Sequence, residues 1–269
     1  MSARYVLAIV GGGRMGEAIA AGLVSSAALA PAEIIVAEPS TARREVFARH
    51  GIATVADGHE AVGEAEIVLL AVKPQVLDAV IAHLAGDLGP GTLIVSIAAG
   101  MSTARIESLL PAGTAVVRVM PNTPAMVGAG MAVVSGGSGA SDDQVERVRQ
   151  LFEAIGKAVV IEERHQDAAT AISGSGPAYV ALVIDALARA GVNQGLTRDV
   201  AQRLAVQTVA GTAELLTVSG MHPEELVDAV SSPGGTTIAA VGALEAAGLR
   251  AAFDEAVAAA VRRAKELGS

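Results

Sequence analysis

The sequence contains no cysteine and no tryptophan among its 269 residues, and only 2% of its residues are aromatic. The absence of cysteine excludes a disulfide framework, a thiolate metal site and a cysteine nucleophile. Because aromatic residues are so few, the core must be built from aliphatic side chains. The same scarcity argues against a surface that stacks the bases of single-stranded nucleic acid.

Basic residues are also scarce, with 19 Lys and Arg against 28 Asp and Glu and a formal net charge of −9. Such a chain lacks the basic surface that binds phosphate backbones, so no nucleic-acid partner is expected. The apolar run at the amino end is too short for a signal peptide, and no uninterrupted apolar run of spanning length follows. The composition therefore predicts a folded, cytoplasmic protein without a membrane partner.

The first strong motif follows a short apolar run at residues 5–10. Glycines occupy the three positions of G-x-G-x-x-G, directly after this predicted strand and before a predicted helix. In that context the first glycine makes a tight turn, the second lets a pyrophosphate approach, and the third packs helix on strand. The pattern predicts a dinucleotide site, whose residues in this loop are Gly11, Gly13, Arg14, Met15 and Gly16.

Acidic and basic residues at the end of the second predicted strand favour different cofactors. Glu38 lies where a carboxylate binds the ribose hydroxyls in such folds, which favours NADH because a carboxylate repels a 2′-phosphate. The residues that follow are of the types that hold a 2′-phosphate, namely Ser40, Thr41, Arg43 and Arg44. Alternatively, Glu38 caps the next helix and both arginines are solvated. The sequence leaves the choice of NADH or NADPH open.

Further strands are predicted at residues 52–55, 66–72, 92–97, 114–119, 131–134 and 158–161, with helical segments between them. This alternation predicts an α/β fold whose N-terminal part is a Rossmann-type, doubly wound, mostly parallel sheet. Ligands of such sheets bind at the carboxyl ends of the strands.

Three segments after predicted strands are candidates for cofactor contacts. Pro74 suits the first turn of a helix, which leaves Lys73 at the end of a strand, as a cofactor contact or as a surface lysine. Ala98 and Ala99 are small enough to leave room for a flat ring. Asn122 stands between two prolines and is either a ligand hydrogen bonder or a turn residue that satisfies its own backbone.

The pattern changes at about residue 165, where strand signals stop. Alanine-rich helices are predicted at 167–190, 197–219, 223–229, 238–246 and 249–267, so the chain divides into a nucleotide-binding domain, 1–163, and an all-α domain, 164–269. Helices so rich in Ala and Val favour burial against a partner subunit, with an intrachain bundle as the alternative. Glycines and a proline at 173–177 are expected to kink the first helix.

A turn sequence precedes the helix predicted at 238–246. Residues 230–237 combine a serine pair, a proline, a glycine pair and a threonine pair. Ser and Thr are common N-caps, glycine lets the backbone approach a ligand closely, and a helix start favours an anion. The stretch predicts either a site for a small carboxylate or an ordinary loop and helix cap.

Six motifs occur along the chain in a fixed order. They are GGGRMG at 11–16, AVKPQ at 71–75, SIAAG at 96–100, MPNTPA at 120–125, SGSGPAY at 173–179 and SSPGGTT at 231–237. In this order they resemble the pyrroline-5-carboxylate reductase family over nearly the full length. The resemblance implies a Rossmann domain followed by an all-α dimerisation domain, giving a homodimer from which larger rings of dimers assemble.

The resemblance also implies an activity, the reduction of 1-pyrroline-5-carboxylate to L-proline by hydride transfer from NADPH or NADH, the last step of proline biosynthesis. It assigns the catalytic role to Thr237, whose hydroxyl is placed near the ring nitrogen. The substrate residues it implies are Ser232, Gly234, Gly235, Thr236 and Thr237. The cofactor residues it adds are Ala71, Val72, Lys73, Pro74, Ala98, Ala99 and Asn122. A cyclic imine accepts hydride at carbon when its nitrogen receives a proton, so no metal is needed.

Two other classes of function share parts of this pattern. β-Hydroxyacid dehydrogenases combine the glycine motif with a helical domain, but they would need a catalytic lysine in the helix at 167–190, which contains none. A dimer that senses nucleotides but no longer catalyses a reaction would be expected to lack the loop motif at 231–237. That motif is intact.

Overall fold

The computed structural model describes residues 4–89 and 91–267. They form two compact units, one of residues 4–175 with 260–267 and one of residues 176–259. The first unit contains all eight strands found in the described residues, and the second is helical.

The first unit is built on a single sheet. Its strands are β1 (Tyr5–Val10), β2 (Ile34–Ala37), β3 (Ala53–Val55), β4 (Ala65–Leu70), β5 (Leu93–Ser96), β6 (Ala115–Met120), β7 (Gly130–Gly136) and β8 (Gly156–Val160). The strand order is β3-β2-β1-β4-β5-β6-β7-β8. All neighbours pair in parallel except β6 and β7, which are antiparallel. The predicted Rossmann-type, mostly parallel sheet is confirmed.

Helices cover both faces of this sheet. They are α1 (Arg14–Ser25), α2 (Thr41–Ala48), α3 (His59–Val62), α4 (Pro74–Leu84), α5 (Thr103–Glu107), α6 (Asp142–Glu153) and α7 (Gln166–Ala169), with 3-10 turns at Pro31–Glu33, Thr123–Val127 and Glu163–His165. Successive residues of β1 point to opposite faces, so Leu7 and Ile9 join one core cluster and Ala8 and Val10 join the other. Burial on both faces explains the continuous apolar sequence of the strand.

The second unit consists of helices with a small core of its own. They are α8 (Gly176–Asn193), α9 (Arg198–Ser219), α10 (Pro223–Val230), α11 (Thr236–Ala246) and the start of α12 (Leu249–Leu267). The pair α8 and α9 buries only alanines, Ala188, Ala201 and Ala205. Large apolar side chains remain exposed within the chain, including Leu182 at 70% and Val218 at 81% of their surface.

The helix predicted at 167–190 is interrupted where its glycines and proline lie. Residues Thr170–Gly174 form a π-helical turn, and Ser175 N–H donates to the Thr170 carbonyl, five residues back, at 2.9 Å. The expected irregularity is therefore present as a π-helical turn between α7 and α8. Such turns insert one extra residue per turn and are frequent at functional sites.

The helical run Glu163–Asn193 is long and apolar enough to span a membrane by length and composition, with a mean hydropathy of 1.4 in its most apolar window. Only 11% of that window is buried within the chain. The sequence shows no uninterrupted apolar run here, because polar residues such as Thr170, Ser173 and Asp185 are interspersed along it. Its exposure leaves an apolar helical surface that the chain itself does not cover.

Candidate functional site

The glycine loop between β1 and α1 is packed so closely that two of its glycines are required. Gly11 has a φ of +108°, and a Cβ added there would lie 2.7 Å from the Ala71 carbonyl oxygen. A Cβ at Gly16 would lie 2.4 Å from the Gly11 carbonyl oxygen. Gly13 differs, since no atom lies within 4 Å of a Cβ built there. Gly13 therefore faces open space, as expected of the residue beside a bound phosphate.

Glu38, which directly follows β2, and Arg43 of α2 fix the backbone of this loop. The Gly12 N–H donates to Glu38 Oε2 at 2.8 Å, and Arg43 Nε donates to the Gly12 carbonyl at 2.7 Å. Arg43 also forms an ion pair with Glu17 of α1 at 2.7 Å. Both backbone polar groups of Gly12 are thus held by charged side chains. The sequence motif gives no indication of this, because the partners are 26 and 31 residues away.

Arg44 is bound in the same region. Its guanidinium donates to the carbonyls of Glu38 and Pro39 at 2.8 and 2.7 Å and to Thr41 Oγ1 at 3.0 Å. The alternative in which Arg43 and Arg44 are simply solvated is therefore wrong. Both guanidinium groups lie next to Glu38, where a nucleotide ribose would be recognised.

A cleft of about 560 Å³ opens at the carboxyl ends of β1 and β4. These neighbouring strands flank the point where the strand order reverses, which is where open α/β sheets bind ligands. Six of the cofactor residues expected from the sequence line the cleft: Gly11, Gly13, Glu38, Ala71, Val72 and Lys73. The structure therefore brings together residues from three separate segments of the chain.

Among the cleft residues that were not expected from the sequence, two are titratable, Asp57 and His83. Asp57 follows β3, so the rule that ligands bind at the carboxyl ends of strands provides a signal for it. The backbone N–H of His59, and then the imidazole of His83, hold the pKa of Asp57 below its ordinary value. The cleft thus has two carboxylates, Glu38 and Asp57, and one ammonium group, that of Lys73.

The remaining expected cofactor residues do not line this cleft in the described residues. They are Arg14, Met15, Gly16, Pro74, Ala98, Ala99 and Asn122. Met15 and Gly16 start α1, where Met15 packs against a core cluster. Pro74 is the first residue of α4, directly after Lys73, as the sequence predicts.

Asn122 connects two segments of the first unit. It is 9% exposed, its Oδ1 accepts the Met131 N–H at 2.8 Å, and its Nδ2 donates to the Ser173 carbonyl at 3.0 Å. The amide therefore joins the loop after β6 to the start of β7 and to the π-helical turn. It is not a turn residue bonded to its own backbone, and a cofactor contact from this residue stays a prediction.

The loop of the second unit begins with a tight turn. The Gly235 N–H donates to the Ser232 carbonyl at 3.0 Å, and Gly234 has a φ of +67°. With Pro233 at the second position and a left-handed glycine at the third, this has the features of a type II turn. A Cβ at Gly235 would lie 2.3 Å from Ser232 Oγ, so the Ser232 hydroxyl would have to rotate away to admit a side chain there.

The helix α11 follows this turn directly and has no side-chain cap. The helix begins at Thr236, two residues earlier than the sequence predicts, because the turn already ends at Gly235. Its N-cap has no side-chain hydrogen bond, which leaves the first N–H groups free for a ligand or water. In the part of the chain described, the hydroxyls of Thr236 and Thr237 have no hydrogen-bond partner. These donors suit a small carboxylate.

The strand order, the glycine loop and the cleft at the switch point define a dinucleotide-binding α/β protein, the class that includes the NAD(P)-dependent dehydrogenases and reductases. Residues 6–100 match the family model described as NADP oxidoreductase, coenzyme F420-dependent. Residues 163–267 match the model described as pyrroline-5-carboxylate reductase dimerisation.

Full-length comparisons identify the family. A pyrroline-5-carboxylate reductase of Synechocystis sp. is 50% identical over 263 residues, which are 97% of this chain and 98% of that protein. The structure of a pyrroline-5-carboxylate reductase from Coxiella burnetii matches with a TM-score of 0.94 at 34% identity over 99% of each chain. That of Plasmodium falciparum pyrroline carboxylate reductase with NADP bound has a TM-score of 0.88 at 30% identity over 100% of each. This chain belongs to the pyrroline-5-carboxylate reductase family.

Proposed function

We propose that the protein reduces 1-pyrroline-5-carboxylate to L-proline with NADPH or NADH, the final step of proline biosynthesis. The observation that carries this proposal is the turn at Ser232–Gly235, which presents an uncapped helix start and two unpaired threonine hydroxyls. A chain that kept only nucleotide sensing would not need these donors. Membership of the family supports the same substrate.

The chemistry requires little more than positioning. When bound, NADPH or NADH supplies a hydride to the imine carbon. The free N–H groups at the start of α11 hold the substrate carboxylate, together with Ser232, Gly234, Gly235 and Thr236. The Thr237 hydroxyl donates its proton to the ring nitrogen as the C=N double bond becomes single, and solvent returns a proton to the hydroxyl. Orientation and a preorganised anion site then supply most of the rate enhancement.

We assign the cofactor to the cleft of the first unit. Gly13 leaves space for the phosphates, and Gly11 and Gly16 allow the close packing that shapes the loop. Arg14, Met15, Pro74, Ala98, Ala99 and Asn122 extend the proposed contacts beyond the cleft. The division into a nucleotide-binding part, 1–163, and a dimerisation part, 164–269, is supported by the family model that begins at residue 163.

The direct test is oxidation of NADH and of NADPH by the purified protein with 1-pyrroline-5-carboxylate, followed by absorbance. Turnover with either nucleotide is expected. A folded protein that binds nucleotide but turns over neither would contradict the proposal and indicate that the loop at Ser232–Thr237 serves another ligand.

Replacing Glu38 is expected to shift cofactor preference towards NADPH. Its carboxylate repels a 2′-phosphate, so the ratio of kcat/KM for NADPH to that for NADH should rise about ten-fold, or ~1.4 kcal/mol, in Glu38→Gln. Glu38→Ala should show the same shift with weaker binding of both nucleotides, since the Gly12 N–H loses its acceptor. An unchanged ratio in both variants would place the ribose elsewhere.

The exposed apolar surface of the second unit is proposed to be covered by a second copy of the chain, in a homodimer that assembles into rings in the cytoplasm. Leu182→Asp places a charge on α8 where 70% of the side chain is exposed. Static light scattering at micromolar concentration should give at least twice the mass of one chain for the wild type, and a single-chain mass for this variant. The matched control Val127→Asp, 81% exposed in the first unit, should keep the wild-type mass. A wild-type monomer would contradict the dimer.

A further inference from the structure

Two histidines that lie 24 residues apart in sequence meet beside the proposed nucleotide cleft. His59 is the first residue of α3, and His83 lies in the last turn of α4. Their ring centroids are 3.8 Å apart. Asp57 completes the group, and one nitrogen or oxygen atom from each of the three residues lies within 4.8 Å of the others.

The geometry of this group suits an ion. His83 Nε2 lies 3.1 Å from Asp57 Oδ1. Two ligand atoms bound at the usual lengths to a tetrahedral zinc ion are about 3.3 Å apart, so this pair is already at the required separation. All three side chains are exposed, and rotations about their side-chain bonds would bring the three ligand atoms to one ion.

A fourth residue orients one of the imidazoles. The Asp87 carboxylate contacts His59 Nδ1. Histidines that bind metals usually donate their second ring N–H to a carboxylate, which fixes the tautomer and directs the other nitrogen to the ion. The Asp87 carboxylate is placed to fix the His59 ring in this way. The Nε2 atom of His59 is then the nitrogen that is free to bind an ion.

We propose that Asp57, His59 and His83 form a site for a divalent transition ion such as Zn²⁺ or Co²⁺, with Asp87 as the residue that positions His59. Two imidazoles and one carboxylate favour these ions over Mg²⁺ and Ca²⁺, which prefer oxygen ligands. Solvent completes the coordination, because the group lies at the surface.

Binding of the ion is coupled to binding of the nucleotide, an inference that rests on the proposed function. Asp57 and His83 both line the cleft that holds Glu38 and Lys73. An ion bound there cancels the negative charge of Asp57 and adds positive charge to the cleft wall. It therefore strengthens the binding of the anionic nucleotide, and by linkage the nucleotide strengthens the binding of the ion.

The metal site is tested in nucleotide-free, tag-free protein by titration with Co²⁺, whose visible absorption reports nitrogen ligands. We expect one ion per chain, competed by Zn²⁺. Affinity should fall at least ten-fold in His59→Gln and in His83→Gln and about 10- to 100-fold in Asp87→Asn. His50→Gln, which removes an exposed histidine outside the group, should bind Co²⁺ as the wild type does. No saturable Co²⁺ spectrum in the wild type, or equal affinity in all four variants, would overturn the site.

The coupling is tested by the Kd of NADPH, measured through nucleotide fluorescence without Zn²⁺ and at a Zn²⁺ concentration that saturates the wild type but not the His59→Gln variant. It should fall about five-fold in the wild type and stay constant in His59→Gln, which removes a ligand without touching the cleft lining. An unchanged Kd in the wild type would overturn the coupling. A failure of 1-pyrroline-5-carboxylate turnover contradicts the proposed reaction only, since the Co²⁺ titration requires no substrate.

Discussion

Thr237→Ala should lower kcat about 100-fold while leaving the Kd of NADPH unchanged. The hydroxyl lies in the first turn of α11, is half-buried, and has no partner among the residues that the structure describes. It is therefore available to the ring nitrogen of the substrate. A positioned proton donor contributes about 10²- to 10⁴-fold, and a hydroxyl, as a weak acid, is expected at the lower end.

Two neighbouring substitutions separate this role from general damage to the loop. Thr237→Ser keeps a hydroxyl at the same position and should restore most of the activity. Thr236→Ala removes the exposed neighbour, which is proposed to hold the carboxylate, so KM should rise more than kcat falls. Steady-state kinetics with both substrates varied gives these values. Wild-type kcat and KM in Thr237→Ala would remove the residue from the mechanism.

The sequence predicts the sheet well because each of its signals is local. An apolar run, a glycine turn and an amphipathic helix are read within about 20 residues, and their alternation defines a doubly wound fold. The start of α11 is less predictable, since threonine is a weak helix former and its helical position here depends on where the preceding turn closes. The sequence therefore indicates the loop at 230–237 but not that Thr236 and Thr237 form the first turn of the helix.

The supporting contacts of the cleft are not predictable in the same way. The side chains of Glu38 and Arg43 reach back to Gly12 across a distance along the chain that no local pattern spans. The contact between the histidines of α3 and α4 is equally unpredictable from the sequence. The two residues are far apart along the chain and meet only because the two helices lie side by side. Residues that act through tertiary contacts can therefore be identified only from the folded structure, in which the order of the strands is known.

Gly13→Ala should weaken NADPH and NADH binding at least ten-fold without destabilising the protein. Gly13 has a φ of −67° and a ψ of −178°, which alanine adopts without strain, and the added methyl group meets no protein atom. Such a glycine-to-alanine change stabilises a fold by about 0.4–1 kcal/mol through the unfolded state, and this gain offsets the poorer N-cap preference of alanine at the start of α1. The methyl group would instead occupy the space that the phosphates need.

Gly16→Ala is the contrasting variant in the same motif. Its methyl group would lie 2.4 Å from the backbone oxygen of Gly11, so α1 or the loop must move. Overpacking of this kind costs about 1–3 kcal/mol, and nucleotide binding should weaken because the loop itself is displaced. Thermal unfolding and nucleotide titration of both variants therefore give different patterns: weak binding with an unchanged or raised Tm for Gly13→Ala, and weak binding with a lowered Tm for Gly16→Ala. If Gly13→Ala bound nucleotide as tightly as the wild type, the phosphates could not lie beside Gly13, and the cleft would have to hold the cofactor in another orientation.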